Sequence, residues 1–463
     1  MRWVLAACLG VSGLTLLLPS TPTYDPWAWI LWGRQIVELD LVTDFGPSWK
    51  PLPMLFIVPF QGIGALLGDD SFAPYAWLWI ARAGGLLACA MAFRLARRFV
   101  GGGALGALAG VVALAALFSS FKFVRDSALG NSEPLMAALV LWAFERHLDG
   151  RRDHALFLAS GAALMRPEIW LFLGLYGIWL WFTDPRLRGR MVALAAGILA
   201  LWFLPEWWGS GHPERALTRA QEPRPSSPAF ADFPAGEILR RWKSTVIFPV
   251  AVAGLVGLGV AAVRFYRRLG PLDQRSGARE AEPSARRRDW ATLVLAGGGL
   301  AWLALVAGMT QAGFAGNQRY LIIPTAALSV LAGIGVARLI QGVMLLVGRR
   351  FGARVARAAA LVVVAGGLAA SSSAIAFKLD NAETIRDALE YEASLWKGLK
   401  DVIDEAGGRE PLVACGGLYS GAFQTQMLAY ELHVHGRRVG ILNFTPPGAI
   451  FRTRTALTTS PVP

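Results

Sequence analysis

The chain has 463 residues, 54% of them hydrophobic and only 17% charged, with 18 tryptophans and a mean hydropathy of +0.44. A soluble domain carries about 25% charged residues, so the composition excludes an ordinary water-soluble fold and points to the bilayer as solvent. The formal net charge of +13 raises nucleic acid as a partner, but the arginines sit in short clusters between apolar runs, as in cytoplasmic loops, and no nucleic-acid partner is expected.

A crossing helix needs ~20 mostly apolar residues. Such runs lie near 3–20, 75–93, 103–120, 133–148, 154–183, 189–208, 244–264, 290–309, 319–341 and 355–377. The first could be a cleaved signal peptide, but it ends "LLLPSTPT" without a small-residue cleavage site, so an uncleaved helix is expected. Residues 53–67, interrupted by Pro59 and glycines, read as an interfacial or re-entrant piece. "GGGALGALAG" at 101–110 reads as small-residue helix packing rather than a nucleotide motif.

The 154–183 run is too long for one straight helix, and "LMRPEIW" in its middle is poor sequence for the hydrocarbon centre. Reading it as two helices with Arg166 and Glu168 at a turn gathers the arginine clusters on one side. These are Arg94, Arg97 and Arg98, then Arg146, Arg151 and Arg152, then Arg186, Arg188 and Arg190, the 264–288 loop, and Arg349 to Arg357. The positive-inside rule prefers that solution. The expected fold class is therefore an all-α polytopic membrane protein of about 11 transmembrane helices, N-terminus inside and C-terminus outside.

Outside lie the loops 21–74, 121–132, 209–243 and 310–318, and the tail 378–463. The expected division is a transmembrane domain over 1–377 and a small extracytoplasmic α/β domain over 378–463. In the tail, a helix is expected after Asn381 as cap, running to Gly407-Gly408. "PLVAC" and "RRVGIL" read as strands, with "YSGAFQTQMLAYEL" a helix between them. The cysteines Cys8, Cys89 and Cys415 have no disulfide or metal spacing, and His212 has no partner at ligand spacing.

The outer face collects Asp25 in "TYDPWAW", Lys50 in "SWKPLP", Arg125, Asp126, Asn131 and Glu133 in "KFVRDSALGNSEP", and Arg166, Glu168 and Arg319. Carboxylates and cations at membrane depth are costly unless they face one another or a wet cavity. They suit attack on an anionic group, with a carboxylate taking a hydroxyl proton and cations holding a phosphate leaving group.

The order of these features resembles the GT-C superfamily of membrane glycosyltransferases, closest to the protein O-mannosyltransferase and lipid A aminoarabinose transferase branch. The order is a first helix, an acidic residue among aromatics, "KP" before a short apolar piece, "SEPLMAALVLW" opening the fourth span, then "ALMRPEIWLF" and "NQRYLIIPTAAL". The resemblance covers roughly residues 1–341. It implies an inverting glycosyltransferase using a polyprenyl-phosphate-linked sugar and a glycan, lipid or protein acceptor, in a bacterial-type plasma membrane with its site on the extracytoplasmic face. By the same resemblance Asp25 matches the catalytic base and Glu133 a second acidic residue that orients the acceptor or a divalent metal. Lys50 and Arg319 match phosphate contacts, and Arg125, Asp126 and Arg166 are candidates for binding substrate. The first loop would sit among the lipid headgroups, its aromatics anchored in the interface. Asp25 stands without the second adjacent acid that many members have, and Glu133 stands where Asp is common, which leaves metal dependence open.

Other readings of the same residues are structural. Asp25 before Pro26 suits a helix cap, Lys50 could snorkel to the interface, Glu133 could complement a helix N-terminus, and Arg166 with Glu168 could be a local ion pair. Other functions are a transporter or flippase, which would place its site near the midplane of two related halves, and a non-catalytic protein that binds lipid-linked sugar. No internal repeat is present. Convergence of Asp25, Lys50, Glu133 and Arg319 around one cavity is the structural expectation that separates a site from scattered charges.

Overall fold

The computed structural model describes residues 1–267, 282–441, 443–454 and 461–462, so most of the arginine-rich 264–288 loop lies outside the described residues. A helix occupies each expected apolar run. These are α1 (Arg2–Thr15), α4 (Phe72–Val100), α5 (Gly103–Phe118), α7 (Glu133–Leu148), α8 (Arg152–Ala163), α9 (Ile169–Thr183), α10 (Arg188–Ser210), α13 (Phe248–Arg267), α14 (Glu282–Gln311) and α15 (Ile322–Glu405). Further helices connect them: α2 (Tyr24–Val37), α3 (Pro51–Leu67), α6 (Phe121–Ala128), α11 (Arg215–Ala220) and α12 (Pro234–Lys243).

The count of eleven spans is not met on length. Among the described residues five helices are long and apolar enough to cross a membrane, or six if α5 and α6, bent by 72° at their junction, form one broken span. Helices α8 and α9 have 12 and 15 residues, because the polar Arg166–Glu168 turn splits the apolar run. The expected re-entrant piece is helix α3, which carries Pro59 inside it and stops at left-handed Gly68 (φ 66°).

Two glycines explain how closely the central helices meet. A Cβ on Gly335 of α15 would lie 1.9 Å from the Ala253 carbonyl of α13, and one on Gly333 would lie 2.1 Å from the Ala109 carbonyl of α5. Without side chains at these positions the backbones pack directly, the usual substitute for hydrophobic driving force inside lipid.

Helix α15 breaks at Gly352, whose backbone (φ 83°, ψ 170°) leaves the helical region. Beyond the break it runs without interruption to Glu405, roughly 80 Å at 1.5 Å per residue. The expected fresh start after Asn381 is therefore wrong: the last apolar run and the helix of the tail are one rod. Propensity alone gives no stop there, since the segment "NAETIRDALEYEASLWKGL" is made largely of good helix formers.

The rod carries the tail onto the loops between α2 and α4. Trp396 packs edge-on against Trp27 (5.0 Å between ring centres) and donates to Glu431 Oε1 at 2.7 Å. "PLVAC" falls in α16 (Arg409–Ala414) rather than in a strand. A small parallel sheet follows, in the order β2-β1-β3, with β1 (Gly417–Tyr419) paired to β2 (Val439–Gly440) and β3 (Gly448–Ile450). Helix α17 (Thr425–Glu431) lies between β1 and β2 and packs on α2, where Arg34 donates to the Tyr430 carbonyl at 2.7 Å. Strands β4 (Thr453–Arg454) and β5 (Pro461–Val462) pair antiparallel beyond it.

The aromatics of the first loop do not anchor in an interface. Trp27, Trp29, Trp32 and Trp49 are at most 2% exposed and form core, Trp29 meeting Trp77 edge-on at 5.8 Å. Helix α2 buries its whole circumference between α3, α4 and α17, so its tryptophans face protein on every side.

Candidate functional site

Five separated segments deliver charged side chains to one end of the helical body. Asp25 sits in the first turn of α2, whose entry is pinned by the Thr23 amide donating to the Leu129 carbonyl. Lys50 is the extended residue just before α3, and Pro51 starts that helix. Glu133 opens α7, Arg166 lies in the α8–α9 turn, and Arg319 lies in the short 3-10 turn Gln318–Leu321 that leads into α15.

Glu133 is the centre. Its Oε1 accepts from Lys50 Nζ at 2.9 Å and Arg166 Nη1 at 3.2 Å, and Arg319 Nε lies 3.5 Å away. Arg319 reaches onward, donating to Asp25 Oδ2 at 2.5 Å and Asn131 Oδ1 at 3.2 Å. Asn131 in turn donates to Asp126 Oδ1 at 3.1 Å, which also accepts from Lys122 Nζ at 2.7 Å. Arg166 forks onto Glu168 and sets its Cζ over the Tyr320 ring, 3.4 Å from the ring centre. Three carboxylates (Asp25, Glu133, Glu168) thus match three cations in a nearly dry cluster. Such an arrangement is tolerated because each charge has a partner.

The expected convergence of Asp25, Lys50, Glu133 and Arg319 is present, and Arg166 and Asp126 join it. Arg125 does not. It pairs with Glu392 of α15 at 3.0 Å, half-exposed, although it lines the same cavity. Three structural readings fall away. Thr23, not Asp25, holds the N-cap position of α2. Lys50 is 6% exposed and does not snorkel. Arg166 with Glu168 is more than a local pair, since Arg166 also binds Glu133. Ser132, which accepts from Lys50 at 2.8 Å, Lys122 and the ring of Tyr320 were not singled out from sequence; the "NQRY" adjacency to Arg319 was the one available signal for Tyr320.

The cluster forms the floor of a cavity of about 850 Å³. Among the described residues eight cationic and five acidic side chains line it, so the cavity favours anions. Asp25 faces this space. Glu133, 0% exposed, does not: it stands behind the three cations, a correction to its expected contact with an acceptor. The arrangement does not fit a divalent metal either. Among the described residues no three His, Cys, Asp or Glu side chains come together as ligands, and Glu133 is enclosed by cations that would repel one.

The polar end continues into an apolar wall. Trp170 and Leu171 of α9, Trp202 and Phe203 of α10, and Leu305 and Met309 of α14 line the cavity. Leu171 and Phe203 are 53% and 39% exposed, so this wall opens at the exposed apolar surface of α9 and α10.

No family model matches the chain, and no curated protein does. Solved structures are similar to it, among them two of one protein. ArnT from Cupriavidus metallidurans in the apo state is 16% identical with a TM-score of 0.56, covering 94% of this chain and 84% of that one. The same protein bound to undecaprenyl phosphate is 14% identical with a TM-score of 0.52, covering 94% and 85%. Likeness along nearly the whole of both chains at such low identity establishes architecture: this chain has the ArnT-like GT-C fold that its order of sequence features resembles.

Proposed function

We propose that the chain is an inverting glycosyltransferase that moves a sugar from a polyprenyl-phosphate donor to an extracytoplasmic hydroxyl acceptor. One observation carries the reading. A cavity-facing carboxylate, Asp25, touches a cation, Arg319, inside an anion-favouring cavity whose apolar wall opens toward lipid. A lipid-linked phosphosugar needs that combination of a cationic end and an adjoining apolar track. The fold it shares with a structure bound to undecaprenyl phosphate supports the same donor class.

In the proposed step the acceptor O–H gives its proton to the free oxygen of Asp25 as the acceptor oxygen bonds to the anomeric carbon. The bond from that carbon to the phosphate oxygen breaks, and its electron pair leaves on polyprenyl phosphate. Lys50, Arg166 and Arg319 stabilise the charge that develops there. Glu133 is a positioning residue: it holds the three cations in one geometry before substrate arrives, so no reorganisation is needed during reaction. The polyprenyl chain lies along Trp170, Leu171 and Phe203.

The test is transfer in reconstituted membranes with labelled polyprenyl-phosphate sugars and extracted envelope glycans, lipids or proteins as acceptors. Donor-dependent label in an acceptor, with the anomeric configuration reversed, is the expected result. Absence of transfer with every donor, while the donor still binds, would replace the enzyme by a lipid-linked-sugar binding protein.

A further inference from the structure

A second cavity, of about 790 Å³, lies away from the first, against the start of α1, the end of α4 and the start of α5. Its lining divides into two parts. One part is cationic: Arg94, Arg97 and Arg98 of α4 and Arg288 of α14, with Glu145 the one carboxylate among the described residues that line it. The other is apolar: Val4 of α1, Ala90 and Phe93 of α4, and Leu114 of α5, which is 38% exposed.

The charges do not cancel. Arg94 donates to Glu145 Oε1 at 2.8 Å, and Arg98 to Asp149 Oδ1 at 2.5 Å. Both carboxylates are also claimed by Arg146, at 2.8 and 2.7 Å. Two carboxylates therefore serve three arginines, and Arg97 and Arg288 form no ion pair among the described residues. Free arginines facing a half-apolar pocket at the end of a spanning helix call for an anion attached to hydrocarbon. Basic pockets between membrane helices hold anionic headgroups on this principle, and the arginine fork suits phosphate oxygens. Trp3, 88% exposed one residue before Val4, marks the same level as membrane interface.

We propose that this cavity binds one anionic membrane phospholipid, its phosphate between Arg97 and Arg288 and an acyl chain along Val4, Phe93 and Leu114. Loop arginines that serve only topology need no cavity, no shared carboxylates and no apolar wall. The site is independent of the proposed transfer activity.

The experiment is native mass spectrometry of the full chain in detergent, titrated with phosphatidylglycerol or phosphatidylcholine of identical acyl chains. One phosphatidylglycerol should be retained in preference to phosphatidylcholine. Arg97→Gln with Arg288→Gln should lower that preference about thirtyfold, from about fivefold for each arginine near an anionic surface, and Leu114→Ser should weaken retention of both lipids. Inorganic phosphate or glycerophosphoglycerol at the same concentration should not displace the lipid. Equal retention of the two lipids by the unaltered protein, or an unchanged preference in the double variant, overturns the proposal. Displacement by inorganic phosphate at that concentration overturns the lipid assignment and leaves a soluble-anion site. The comparison of lipids on the unaltered protein decides the matter even where the double variant does not fold.

Discussion

Arg319 Nη2 lies 2.5 Å from Asp25 Oδ2 although 294 positions separate the two residues, and the same guanidinium brings Nε within 3.5 Å of Glu133 Oε1. One arginine thus joins the cavity-facing carboxylate to the buried one. It fixes the direction of Asp25 and ties the position of the one acid to that of the other.

Asp25→Asn keeps size and hydrogen bonding to Arg319 but removes the capacity to accept a proton. General-base catalysis contributes about 10²–10⁴-fold, so transfer should fall by that factor while the protein inserts and folds normally. Since Thr23 holds the cap position, a near-normal rate in this variant would count against the base and not merely reveal a cap.

Glu133→Ala should act on stability first. It would leave Lys50, Arg166 and Arg319 without their shared carboxylate, and breaking a buried ion pair from one side costs about 3–5 kcal/mol. Thermal unfolding in detergent should show a loss of that order, with poor yield of folded protein. A variant of unchanged melting temperature would mean that Glu133 does not hold the cluster together.

Lys50→Ala removes a cation that lines the cavity as well as a partner of Glu133. It should raise the donor concentration needed for half-maximal transfer and lower the maximal rate, because the charge serves both donor binding and the leaving group. A lowered rate at unchanged donor requirement would move Lys50 from phosphate contact to purely structural pairing.

Asp70, in the turn between α3 and α4, accepts from His433 at 3.1 Å and Arg409 at 2.7 Å and so clamps the tail. The His433 contact first, then Arg409, holds its carboxyl well below the usual range. A depressed carboxyl contributes stability above its unfolded value, near 4, and loses it as pH falls further. Protease resistance of the tail should therefore stay level from pH 7 to about 5 and decline below about 4. Asp70→Asn should be less protected at neutral pH and lack that acid decline. The group is partly exposed, so the effect is modest.

Of the three cysteines only Cys415 is exposed. If the tail lies outside, an impermeant thiol reagent should label intact cells expressing the chain and fail to label a Cys415→Ser variant. With Gly150→Cys added to that variant, labelling should require permeabilised cells. Labelling of the second position in intact cells would reverse the assignment of sides.

Sequence by itself determined the solvent and the parts. Hydropathy is a property of local stretches, so apolar runs at 75–93, 189–208, 290–309 and 319–341 declare membrane helices without any knowledge of neighbours. Charge type is equally local, which is why Asp25, Lys50, Glu133 and Arg319 could be chosen as candidates, and why Arg166-Pro167-Glu168 had to be a turn. Tertiary structure decided everything that depends on who stands next to whom. Whether Glu133 faces substrate or is sealed behind three cations follows from the packing of α7 against Lys50, Arg166 and Arg319, and no spacing encodes it. The tryptophans of the first loop are core because α17 and Trp396 return to cover α2, a contact made across hundreds of residues. The long rod of α15 is one helix because nothing between Ala353 and Glu405 breaks it, while solvent and lipid change around it. Local sequence sets the free energy of a segment in a given medium; buried charge pairs and covered faces exist only once distant segments supply their partners.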